Sequence, residues 1–204
     1  MDKVIESNQA KLSGVIDSEF GYSHEVFGEN FYKSYLRVER LSGVVDTIPF
    51  EVSGRLIGTT EGWEGKRVRI EGQVRTYNKH ENEKNRLIIS IFVREIEEIS
   101  DGDDENVILL DGFVCKEPKY RTTPLGREIT DVLLAVNRLY GKSDYIPTEF
   151  WGCNARYVSS FPTGTHLYVK GRMQSREYDK KLPDGSIEVR TAYEVSASYL
   201  EERD

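Results

Sequence analysis

The 204-residue chain holds only two cysteines and three histidines, and each scarcity removes a class of protein. Cys115 and Cys153 are too few for a disulfide framework, so both are expected to be reduced core thiols in a cytoplasmic protein. His24, His80 and His166 are scattered without ligand spacing, so neither a metal site nor a cofactor is expected. No run of about 18 apolar residues occurs, and no membrane association is expected. The opening stretch MDKVIESNQAKL has no apolar core of a secretory signal. A phosphate-cradling glycine loop, a nucleophile elbow and a His or Cys cluster are all missing, and the carboxylates are dispersed, so the chain does not read as an enzyme. Net positive charge is missing too: the balance is −7, which at first argues against a nucleic-acid partner. The distribution weakens that objection. Residues 1–100 carry 14 Lys and Arg against 17 Asp and Glu, 101–105 add four acidic residues, and 106–204 hold 14 of each sign.

What the chain does contain is a copy of itself. Shifted by 98 positions, 12–54 aligns with 110–152 without a gap. Identical pairs include Gly14/Gly112, Arg40/Arg138, Gly43/Gly141, Asp46/Asp144, Pro49/Pro147 and Glu51/Glu149, and after one inserted residue Gly72/Gly171. A period near 98 exceeds that of a solenoid and matches a small domain with its own core. The expected division is 1–100, an acidic solvated linker at 101–105, and 106–204.

The second repeat reads as five strands, at 107–114, 128–137, 145–151, 166–178 and 187–200, from β-branched runs and period-two alternation. One short helix is expected at 154–161, stopped by Pro162 and Gly164. Five strands with a helix between the third and fourth is the plan of an OB-fold, a Greek-key barrel. Gly112 and Gly171 on long strands suit a sheet that coils tightly to close. The first repeat follows the same plan at 11–16, 31–39, 47–57, 66–77 and 86–98, with its helix slot, 58–65, lost or reduced to a turn. The fold class is therefore all-β, two tandem OB-folds.

The stretches GFVCKEPKYRTTPLGREITDVLLAVNR, YIPTEFWGCNARYV, GTHLYVKGRMQSREY and RTAYEVSASYLEE in the second repeat resemble the bacterial single-stranded DNA-binding protein family. The run Gly171-Arg172-Met173-Gln174-Ser175-Arg176-Glu177-Tyr178 carries the likeness most specifically. The resemblance implies sequence-independent binding of single-stranded DNA in replication, repair or recombination, by four barrels brought together. This chain has two, so a homodimer is the expected assembly. Single strands need aromatic platforms beside a cationic track. Tyr140, Tyr145, Trp151 and Tyr178 lie at positions matching the family's stacking aromatics, and Arg138, Lys142, Arg172 and Arg176 lie beside them. Trp151 could equally pack under the following helix. Tyr193 and Phe113 read as core.

The partners of Tyr140, Tyr145 and Trp151 in the first repeat are Ser42, Thr47 and Ser53, so that repeat keeps a barrel without its platforms. Trp63 reads there as packing, and Arg75 with Tyr77 as a remnant DNA contact. The second repeat is expected to bind DNA and the first to support assembly. No acidic tail ending in Pro-Phe follows Leu200, which suits an accessory binder. The alternative is a primosome-type scaffold that contacts replication or primosome proteins and binds DNA weakly.

Overall fold

The computed structural model describes residues 7–81, 84–138, 141–182 and 185–204. The first repeat forms β1 (Asn8–Ile16), β2 (Gly21–Val26), β3 (Glu29–Glu39), β4 (Val45–Ser53), a one-turn helix α1 (Gly54–Ile57), β5 (Arg67–Glu81) and β6 (Lys84–Glu98). The second forms β7 (Glu105–Val114), β8 (Lys119–Thr122), β9 (Glu128–Asn137), β10 (Ser143–Trp151), α2 (Gly152–Val158), β11 (His166–Lys181) and β12 (Ile187–Arg203). Each repeat closes into a five-stranded barrel: β1 pairs with β3 as well as β5, and β7 with β9 as well as β11. The crossovers β4–β6 and β10–β12 are the parallel pairings.

Closure needs the backbones to meet where two of the glycines lie. A Cβ on Gly112 would sit 2.8 Å from the Ala135 carbonyl oxygen, and one on Gly171 only 2.4 Å from that of Ser196. Gly171 also stands at a register shift in the β11–β12 ladder. Only glycine permits such approaches.

The barrels share one 12-stranded sheet through antiparallel pairing of β1 with β7. Its register runs from Asn8 opposite Leu110 to Ser13 opposite Glu105, with Ala10 facing Ile108. Shifting by 98 converts Asn8–Leu110 into Leu12–Asn106 and returns Ala10–Ile108 to itself. The duplication is therefore a pseudo-two-fold axis through that pair. Asn8 and Asn106 brace it symmetrically, each side-chain amide pairing both ways with the backbone of a neighbouring strand, at Val74 (2.8 and 2.9 Å) and Met173 (2.8 and 2.9 Å).

Alternation fills the interiors. Along β4, Ile48, Phe50 and Val52 are buried, and along β11, Leu167, Val169 and Met173. Ala155 and Val158 of α2 complete the second core, and Thr130 Oγ1 donates to the Ala155 carbonyl at 2.7 Å. The first repeat keeps one helical turn, earlier than the expected slot and inside the expected third strand. Trp63 fills the space instead, edge-on to Phe20 at 5.7 Å, with Phe20 against Phe50 at 5.9 Å.

Several expectations are corrected. β2 and β8, absent from the strand plan, hairpin onto β3 and β9. The acidic segment is not freely solvated: Asp104 pairs with Arg67 at 2.5 Å and accepts from the Glu39 amide at 2.6 Å, and Glu105 already belongs to β7. Cys153 is exposed on α2 rather than in the core. Phe113 is also outside the core, stacked on His166 at 4.5 Å.

Candidate nucleic-acid interface

The two identical Asp/Arg pairs of the duplicated sequence fix how the barrels face each other. Asp144, fully buried, accepts from its own repeat's Arg138 through Nε at 2.6 Å and through Nη2. It also accepts from the other repeat, from Arg75 Nη1 at 2.9 Å and the Thr76 amide at 2.6 Å. The Tyr145 amide donates back to Thr76 Oγ1 at 2.8 Å. Asp46, equally buried, repeats the pattern: Arg40 binds it through two nitrogens at 2.6 Å, the Ser175 amide donates at 2.8 Å, and the Thr47 amide donates to Ser175 Oγ at 3.0 Å. A buried carboxylate persists only when charges and donors surround it. Each Asp thus pins the hairpin of the opposite repeat: β5–β6 over the second barrel and β11–β12 over the first.

Two of the arginines expected to contact DNA make their bonds within this seam. Arg138 is held by Asp144 and the Thr76 carbonyl (3.1 Å), so its guanidinium belongs to the seam between barrels. Arg75 likewise crosses the seam to Asp144, and burial lowers its pKa below the usual guanidinium value despite that carboxylate.

The pinned hairpins leave two adjoining clefts. One, of about 610 Å³, is bordered by Tyr35, Pro49 and Arg86 of the first repeat and by Tyr178, Arg190 and Tyr193 of the second. The other, of about 530 Å³, is bordered by Asn78 of the first repeat and by Lys116, Lys119, Asp131 and Tyr145 of the second. Leu87 and Pro147 line both, so the two adjoin. Tyr145 is 43% exposed and Tyr178 39%. Lys116 and Lys119 make no ion pair among the described residues, whereas Asp131 is neutralised by Arg121 at 2.9 Å.

The remaining candidates are less clustered. Arg176 is exposed and shares the face of β11 with Tyr178, two residues on. Lys142 is exposed where the β9–β10 connection closes, its carbonyl accepting from the Arg138 amide at 2.7 Å. Arg172 is half-buried, its Nε sealed from solvent without a hydrogen-bond partner among the described residues, and burial followed by the nearby Arg40 lowers its pKa. Trp151 is 37% exposed but six residues along β10 from Tyr145, roughly 20 Å at strand spacing, and lines neither cleft. Tyr77 is exposed and lines neither cleft; burial, then Glu51, raises its pKa. Tyr140 lies outside the described residues. Between Pro147 and Trp151 the outward face of β10 is interrupted by Glu149, whose pKa is raised by burial and then by Glu194. Gln174 donates to Glu149 at 3.1 Å and to Glu194 at 2.9 Å.

Sequence reasoning missed Tyr35, Arg86, Lys116 and Lys119. Lys116 lies in the β7–β8 connection and Lys119 opens β8, inside a family-like stretch that could have drawn notice to them. Tyr35 faces Leu133 across the duplication, so comparing the repeats gave no signal for it. Of the stripped positions in the first repeat, Ser53 is buried, and its Oγ accepts from the Arg55 amide at 3.1 Å at the start of α1.

Two closed barrels sharing a sheet, with an aromatic and cationic trough over the seam, define a tandem OB-fold protein. The model of the single-strand binding protein family matches residues 105–201. Single-stranded DNA-binding protein 1 of Staphylococcus aureus (strain COL) is 34% identical over 83 residues, 37% of this chain and 50% of that protein. Single-stranded DNA-binding protein B of Bacillus subtilis (strain 168) is 30% identical over 83 residues, 37% of this chain and 74% of that protein. The crystal structure of the wild-type single-stranded DNA-binding protein from Thermus aquaticus superposes with a TM-score of 0.78 over 97% of this chain and 93% of that one, and at 19% identity it speaks to the fold alone. The chain belongs to the bacterial single-strand binding protein family. It spans about half the length of the curated relatives it matches, the Bacillus subtilis protein B excepted. The family is one of binding proteins, and the chain is not an enzyme. No helix among the described residues is long and apolar enough to cross a membrane.

Proposed function

We propose that the protein binds single-stranded DNA without sequence preference, as an accessory factor in replication, repair or recombination. Bases stack on Tyr145 and Tyr178, and phosphates are held by Arg176, Lys116, Lys119 and Lys142. The observation that carries this reading is the pair of adjoining clefts in which two half-exposed tyrosines of the family-matching repeat stand, Tyr145 beside Lys116 and Lys119, which make no ion pair among the described residues. Stacking tolerates any base because every base has a π face, and a cationic track follows any backbone. Trp151 serves as a separate platform farther along the strand's path. Arg172 stands behind the surface and adds to its positive field without reaching a phosphate. The working assembly is a homodimer, which brings four barrels together, in line with the prevalence of closed two-fold dimers. The test is fluorescence anisotropy of a labelled oligo-dT titrated with the full chain. Binding should weaken about 5- to 150-fold in Tyr178→Ala, the equivalent of ~1–3 kcal/mol per stacked base. Unchanged affinity in both Tyr145→Ala and Tyr178→Ala would remove the tyrosines from the interface.

A further inference from the structure

Neither cleft belongs to one repeat, and this alters the division of labour that the stripped first repeat suggests. Tyr178 projects from a hairpin whose Ser175 is pinned to Asp46 and Thr47 of the first barrel. It therefore stands over that barrel, in a cleft that the first repeat's Tyr35, 43% exposed, and exposed Arg86 also line. The cleft's other arginine, Arg190, is paired with Glu188 at 2.7 Å, which leaves the first repeat's Arg86 to give the cleft its net positive charge. Reciprocally, the first repeat's β5–β6 hairpin supplies Asn78 and Leu87 to the border of the Tyr145 cleft.

We infer that a single strand is gripped by both repeats at once, with Tyr35 as a stacking platform and Arg86 as a phosphate contact across the trough from Tyr178. The inference rests on the reading of the protein as a single-stranded DNA binder. The first repeat, though stripped at the positions equivalent to Tyr145 and Trp151, then contributes from different positions, and the seam itself becomes the binding surface. The Asp46 and Asp144 locks acquire a second role, since the first holds the Tyr178 hairpin over the first barrel and the second holds the β5–β6 hairpin that carries Arg86.

The experiment uses the full chain and labelled oligo-dT. Tyr35→Ala should weaken binding about 5- to 150-fold, as for one stacked base. Arg86→Gln should reduce the magnitude of the slope of log affinity against log salt by about 0.7, one phosphate's share. An oligonucleotide carrying 4-thiothymidine, photocrosslinked to the unmodified chain, should label peptides from both repeats; this arm needs no variant and so is independent of folding defects. Loss of affinity in Tyr178→Ala with unchanged binding in Tyr35→Ala and Arg86→Gln, and adducts confined to residues beyond 105, would overturn the shared grip and leave the DNA-binding reading standing. Absence of any binding by the unmodified chain would overturn both.

Discussion

Replacing Asp144 by Asn tests the architecture on which the trough depends. The substitution keeps the side chain's volume and removes its charge. In the parent, the two carboxylate oxygens accept from Arg138, Arg75 and the Thr76 amide. The Arg75 and Arg138 side chains are only 21% and 26% exposed. Without the carboxylate, two like charges stand side by side in poorly solvated surroundings, and the new amide group turns donors toward donors. Breaking a buried ion pair by removing one partner costs about 3–5 kcal/mol. With two guanidinium groups stranded, Asp144→Asn belongs at the upper end of that range; Asp46→Asn belongs near its lower end, because Arg40 is the one guanidinium bonded to Asp46 and Arg172 loses only a nearby charge. Urea unfolding followed by tryptophan fluorescence measures both, because Trp63 reports on the first barrel and Trp151 on the second. Asp144→Asn should also weaken oligo-dT binding at urea concentrations far below its unfolding midpoint, since the β5–β6 hairpin loses its anchor. A cost below about 1 kcal/mol, the centre of ordinary substitutions, or a cost smaller than that of Asp46→Asn, refutes the reasoning.

Glu149→Gln should show a pH signature. Its carboxyl is raised by burial and by Glu194, so the native state holds a proton that the unfolded chain, near pH 4.3, releases earlier. Stability from this group is full below that value and falls as pH rises through the raised one. The variant should therefore gain stability relative to the parent as pH rises above about 4.3, with Asp131 keeping Arg121 paired; urea midpoints that differ equally at all pH values contradict the assignment. Arg176→Gln should reduce the magnitude of the salt slope of binding by about 0.7, read from anisotropy titrations at several salt concentrations, and an unchanged slope removes Arg176 from the phosphate track. Sedimentation equilibrium should give twice the chain mass, and a monomer at micromolar concentration rejects the four-barrel assembly.

Much of the fold was legible because its causes are local or repeated. Strand alternation marks the barrel walls, and Gly112 and Gly171 recur in the first repeat as Gly14 and Gly72 because closure forbids a Cβ there. β2 and β8 were illegible: they are short and exposed along nearly their whole length, so no burial imprinted a period on them. The arginines' partners were illegible for a different reason, since a sequence displays charge but not what stands against it. Arg138 next to Tyr140 looks like a phosphate contact until Asp144 is seen against it. A signal was nevertheless present: Arg40 and Asp46 persist, at the same spacing as Arg138 and Asp144, in a repeat that has lost its aromatic platforms. Residues kept by a stripped barrel serve the fold. Asn8 and Asn106 lay four residues upstream of the aligned block and would have joined it had the comparison been extended. Tyr35 and Arg86 gave no signal at all, because their place in the trough arises from the inter-repeat docking.

The central claim is that the trough over the seam holds a single strand by stacking and by phosphate contacts, and a salt series tests it most directly. Full-chain protein is titrated into labelled oligo-dT between about 50 and 200 mM salt, with unlabelled duplex of the same length as competitor. Tight single-strand binding that duplex does not displace, and that falls along a log–log line with a slope near −0.7 for each phosphate engaged, is the predicted result. Affinity that stays flat across the series, or is lost equally to duplex, contradicts it and points instead to a protein-binding scaffold.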